Sequence, residues 1–121
     1  MLNVWDMEKK IKSYINYESN IKRESLTHPS TFVPRSVYNE LGAYELSYKY
    51  ASDYEFYIRL INNKSSFIYI NSVLANFSLG GCTESSFSRR EALKIQYENG
   101  FANIFIYYLK SIYLTVKGYI K

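Results

Sequence analysis

Apolar residues recur along this chain mostly at intervals of three and four, with two short stretches of β-branched and aromatic residues between, and that pattern sets the expected elements. Over residues 2–17, Val4, Met7, Ile11 and Ile15 keep a helical spacing while Lys9, Lys10 and Lys12 fall off the stripe, which predicts an amphipathic helix. A polar break follows. Residues 26–33 form a short β-branched and aromatic run that predicts a strand, and Pro34 and Gly42 then bracket a short helix over Arg35–Leu41. Residues 43–51 hold apolar side chains without a period and predict an ordered loop, ending at Ser52, a good N-cap residue for a helix over 53–62 that Lys64 and Ser65 end. Residues 67–70 and 73–77 predict two strands. Ser88 with Glu91 makes a capping-box signature for a helix reaching Asn99, Gly100 stops it, and residues 101–119 predict a second long helix. The order of elements predicts an α+β class, a short mixed β-sheet packed by helices. It reads as one domain over 1–121: a helix and linker at 1–25, a central segment at 26–83 and C-terminal helices at 84–121.

One position breaks the pattern. In a helix over 53–62, Phe56, Tyr57, Leu60 and Ile61 form the apolar stripe, Glu55, Arg59 and Asn62 the polar face, and Asp53 falls within the stripe. A carboxylate turned inward needs a partner or a cleft, because an uncompensated buried charge is too costly. The competing explanation is a first-turn acid that favours the helix dipole, and at this level both stand. Arg59, one turn after Glu55, is explained by an i,i+4 ion pair without any functional role.

Composition adds limits. A chain of 121 residues with 47% hydrophobic and 21% charged residues is globular, and 14 Tyr with 7 Phe against one Trp is a heavy aromatic load. A net charge of +4 and a pI near 9.1 favour a phosphate-bearing ligand or an anionic lipid surface, although the charges are scattered. The single Cys82 excludes a disulfide within these residues and a thiolate metal cluster, consistent with a reducing compartment. The first residues mix acids and lysines where an export signal needs an apolar core, so a cytoplasmic location is expected. His28 is the only histidine and has no second ligand near it in sequence, so no metal site is expected in this chain.

Five short motifs fall in order within residues 21–85: His28 followed by Ser30, Thr31 and Phe32; Leu41-Gly42-Ala43-Tyr44; Ala51-Ser52-Asp53-Tyr54; Arg59-Leu60; and Gly80-Gly81. Together they resemble the family 2 glycosyltransferases, GT-A-fold enzymes that move a sugar from a nucleotide diphosphate to an acceptor hydroxyl. The resemblance implies a partial GT-A fold lacking the amino-terminal nucleotide-binding half, with Asp53 as the general base of an inverting displacement and Ser52 in the place of a common preceding Glu. It further implies acceptor-side roles for His28, Ser52, Tyr54, Gly80, Gly81 and Thr83. A nucleotide-sugar donor, a saccharide or lipid-linked acceptor and a divalent metal (Mg or Mn) are what it implies for the complete enzyme, in polysaccharide or cell-surface glycan synthesis. No Asp-x-Asp occurs in the sequence, so no metal is expected in this chain and the chain alone is expected to be catalytically silent.

The last predicted helix repeats apolar residues at 101, 104, 105, 108, 109, 112 and 116, interrupted by Asn103, Lys110, Ser111 and Lys117, which argues against a membrane span. Core packing is the ordinary explanation of such a stripe; an interfacial helix on the inner membrane face is the alternative. A noncatalytic binding or homo-oligomerisation module is a second function class. Nucleic-acid binding is not expected, because no RNP, KH or OB pattern accompanies the lysines and tyrosines.

Overall fold

The structure is a computed structural model that describes residues 2–6, 9–14, 18–78 and 85–119, with side chains described at 19–76 and 85–117. Its strands are β1 (Leu2–Asp6), β2 (Lys9–Tyr14) and β3 (Ala75–Ser78), and its helices α1 (Arg35–Leu41), α2 (Ser52–Asn62), α3 (Ser86–Glu98) and α4 (Ile104–Tyr119), with 3₁₀ turns at Glu18–Asn20 and His28–Ser30.

Helix α2 is the axis around which the rest is arranged. Tyr54, Phe56, Tyr57, Ile58 and Leu60 are all buried, and Ile21, Leu26, Ala51 and Ile95 of α3 close the same cluster. Burial therefore extends well beyond the stripe of Phe56, Tyr57, Leu60 and Ile61. Phe56 is 0% exposed, and a phenyl so placed stabilises by about 3–5 kcal/mol relative to alanine. Tyr38 of α1 stacks on it at 4.8 Å between centroids and Tyr44 meets it edge-on at 5.5 Å, so the aromatic load is spent on joining α1 and the following loop to α2. Arg59 fastens the same junction. Its guanidinium donates to the Leu41 and Ala43 carbonyls at 2.6 and 2.7 Å, pairs with Glu55 at 2.9 Å and lies over the Phe56 ring.

Local signals place the helix ends. Pro34 enters α1 and Gly42, at φ 83°, leaves it. Gly100, at φ 73°, ends α3 with Phe101 N–H donating to the Gln96 carbonyl and Gly100 N–H to that of Tyr97. The same pair of bonds ends α2, from Ser65 N–H to Leu60 and from Lys64 N–H to Ile61, with Lys64 taking the left-handed position at φ 56°. Asn103 caps α4 by accepting from the Ile106 N–H at 2.8 Å.

Four expectations are corrected. Residues expected as a first helix form the antiparallel pair β1–β2, with a bulge between Val4 and Trp5, and β1 also pairs in parallel with β3 to give the order β2-β1-β3. No strand forms over 26–33, where the chain makes the 3₁₀ turn, or over 67–70, which is irregular. The N-cap of α3 is Ser85, whose hydroxyl accepts from the Ser88 N–H at 3.1 Å, and not Ser88. The expected α+β layering is the fourth: the described residues are mostly helical, and among those with described side chains the core cluster is built by α2 with its neighbours.

The stripe on α4 is turned outward. Phe105, Leu109, Ile112 and Val116 are 77, 70, 61 and 51% exposed, whereas the helix meets α3 through its other flank, where Leu114 is buried and Tyr107 stacks on Tyr97 at 4.7 Å. Phe101, expected on the same stripe, packs instead against the core.

Candidate functional site

Asp53 is the second residue of α2, half-buried, in a first turn that also holds Glu55. Its Oδ1 accepts from the Tyr54 N–H at 2.7 Å, which is a first-turn acid satisfying a helix N-terminus. The carboxylate also faces Tyr57 one turn on and Tyr44 from the preceding loop, close enough that its charge helps to hold both phenols protonated. Burial is the larger cause in each case, raising Tyr44 to about 12 and Tyr57 further. A hydrogen bond with Thr31 pulls Tyr57 the other way.

Tyr57 joins two residues that the sequence singled out separately. Its hydroxyl lies 3.5 Å from Nδ1 of His28, an exposed residue opening the 3₁₀ turn, so Asp53, Tyr57, His28 and Thr31 form one polar cluster at the head of α2. Nothing in the sequence pattern marked Tyr57 as more than a stripe residue, although its place one turn after Asp53 was the available signal.

Behind the cluster, residues of the 3₁₀ turn, α1 and the segment after α2 line an open hollow of about 1050 Å³. Thr27, Ser30, Thr31, Asn63 and Ser65 bring hydroxyl and amide groups to it, and Phe32 and Tyr69 bring aromatic rings. Thr31 belongs to both the hollow and the cluster, whereas Asp53 lines neither this hollow nor the smaller cleft between α3 and α4.

The other expected site residues separate. Ser52 is half-buried at the start of α2 beside Asp53. Tyr54, expected on the acceptor side, is 1% exposed in the core, where its hydroxyl accepts from the Gln96 amide of α3 at 3.2 Å. Gly80, Gly81 and Thr83 lie outside the described residues, as does Cys82. Arg59 serves the fold as read.

Glu91 is the residue the sequence assigned to the wrong partner. Its carboxylate reaches across from α3 to accept from the backbone N–H groups of Lys49, Tyr50 and Ala51 at 3.0, 2.7 and 2.9 Å. Ala51 is the N-cap of α2 and supplies no side-chain cap, so Glu91 fixes the strand of chain that delivers Ser52 and Asp53, and brings negative charge to the helix N-terminus.

Among the described residues no three or more His, Cys, Asp or Glu side chains gather into a group able to hold a metal ion. No described helix is long and apolar enough to cross a membrane. Comparison with protein-family models, with curated proteins and with solved structures gives no match.

Proposed function

We propose that this chain is the acceptor-side portion of a sugar transferase of the family 2 glycosyltransferase kind, a partial GT-A domain, with Asp53 as its proton-accepting carboxylate. The observation that carries the reading is that Asp53 acts on Tyr57, whose hydroxyl meets His28, while Thr31 beside them also lines a hollow bearing hydroxyl, amide and aromatic groups. In the proposed step an acceptor hydroxyl oxygen bonds to the anomeric carbon of a nucleotide-bound sugar, the bond from that carbon to the diphosphate oxygen breaks, and the hydroxyl proton passes to Asp53. His28, which is exposed, orients the acceptor through a hydrogen bond, and the buried Tyr57 positions the His28 ring. No part of the step is routed through a metal.

That Asp53 lines neither cavity favours a second reading, in which the hollow binds a saccharide without performing chemistry on it. Amide chemical-shift titration with a panel of oligosaccharides separates the two. The transferase reading expects shifts at Thr31, Tyr57 and Asp53, and binding at least tenfold weaker in Asp53→Asn. Shifts along the hollow that Asp53→Asn leaves unchanged support the binding module, and no shift anywhere in the panel ends both. With no Asp-x-Asp in the sequence, the chain alone is expected to turn over no nucleotide sugar; turnover that Asp53→Asn abolishes overturns that expectation.

A further inference from the structure

Two features meet along one edge of α4. The first is the outward stripe of Phe105, Leu109, Ile112 and Val116, spaced by four, three and four, which places a continuous apolar band in solvent on a helix that is already packed through its opposite flank. The second is a cleft of about 400 Å³ between α3 and α4, lined by Arg23, Arg89 and Lys110 with Gln96, Tyr113 and Leu114, and by no carboxylate among the described residues. None of its three cations has an ion-pair partner among the described residues. Arg23 is held there by its backbone, whose carbonyl accepts from the Gln96 amide at 3.0 Å. Lys110 and Lys117 follow one another at two turns on the flank of α4 between the band and the cleft, and no acidic residue occurs anywhere in the helix.

We infer that α4 is an interfacial helix that seats this protein on a membrane surface rich in anionic phospholipid. The apolar band enters the boundary of the acyl chains, Lys110 and Lys117 stay at headgroup level, and the cleft of Arg23, Arg89 and Lys110 receives a lipid phosphate. An apolar band bordered by unpaired cations is complementary to that surface, in which apolar chains lie beneath a negative layer. It is less suited to a second copy of the chain. Two α4 helices packed through the band would bring lysines of like charge alongside each other, with no carboxylate in either helix to offset them. The inference does not depend on the sugar-transferase reading.

Co-sedimentation of the full chain with vesicles tests it. Binding to phosphatidylcholine vesicles containing about one-third phosphatidylglycerol is expected to exceed binding to pure phosphatidylcholine at least tenfold and to fall as salt rises. Leu109→Gln, at a position already in solvent, and the double variant Arg89→Glu/Lys110→Glu are each expected to reduce that binding roughly tenfold while the far-ultraviolet circular dichroism stays unchanged. Equal binding to both vesicle types overturns the role of the cleft. Binding of glycerol phosphate or inorganic phosphate at the cleft without vesicle binding reassigns it to a soluble anion and overturns the inference. So does concentration-dependent self-association, by analytical ultracentrifugation, that Leu109→Gln abolishes in a chain that ignores vesicles.

Discussion

Removing the Glu91 carboxylate tests how the head of α2 is held. Its oxygens accept from three consecutive backbone N–H groups, those of Lys49, Tyr50 and Ala51. Lys49 and Tyr50 are exposed and their amides regain water when the carboxylate is lost, so each bond is worth only about 0.5–1 kcal/mol net. Ala51 is 3% exposed, and leaving its N–H unpaired costs about 1–3 kcal/mol. Glu91→Ala is therefore expected to destabilise by about 2–5 kcal/mol, a fall in Tm of roughly 8–20 °C at this chain length. Glu91→Gln keeps one acceptor for Tyr50 and Ala51 but turns an amide donor toward Lys49, and about 1–2 kcal/mol is expected. Urea unfolding followed by circular dichroism gives both values. Glu98→Ala is the comparator from the same helix: its carboxylate accepts from the Tyr48 hydroxyl and pairs with Lys94 at the surface, and about 1 kcal/mol or less is expected. If Glu91→Ala unfolds within about 0.5 kcal/mol of the parent chain, the cross-element cap is not what holds α2.

Two further outcomes follow from the backbone and the tyrosines. Gly42 sits at φ 83° and ψ 169°, a conformation nearly exclusive to glycine, so Gly42→Ala should lose about 1–3 kcal/mol, whereas Lys64→Gly, which relieves a left-handed lysine at φ 56°, should gain up to about 1 kcal/mol; calorimetric Tm values read both signs. Tyr44, Tyr48 and Tyr57 all hold their protons above the ordinary tyrosine value of 10.0, mainly through burial, with Tyr44 at about 12. The folded chain then binds more protons than the unfolded one above pH 10. The stability these groups contribute is complete below that pH and is lost as pH climbs through 12, so urea midpoints should fall steadily over that range.

Where the sequence could be read, the information was local. Pro34, Gly42, Gly100 and the apolar density of α2 each act within a turn or two, and α1, α2 and the end of α3 follow from them. Where the reading failed, distant pairing decided. The spacing of Val4, Met7, Ile11 and Ile15 suits a helix, but β1 takes β2 on one side and β3, some seventy residues on, on the other. Glu91 satisfies a capping-box pattern with Ser88 and is recruited elsewhere, because Ser85 already caps α3 and the N–H groups before α2 had no cap of their own. The α4 stripe has the right period for a helix, yet periodicity is silent on whether its apolar side meets a core or the outside. At the site, Asp53 was found by its place in the stripe. Tyr57, which links it to His28, needed the fold to show that a turn 29 residues before it folds back over α2.

The placement of aromatic residues gives this molecule two separate optical reporters. Its one tryptophan, Trp5, lies in β1, while the tyrosines at 38, 44, 54 and 57 belong to the helical centre. Emission from the indole carried by β1 and the near-ultraviolet dichroism of phenols concentrated in the helical centre can be followed in one melt. Superimposable melting curves from the two signals mean that strands and helices fold as one cooperative unit; separated curves mean that the sheet assembles and dissolves on its own.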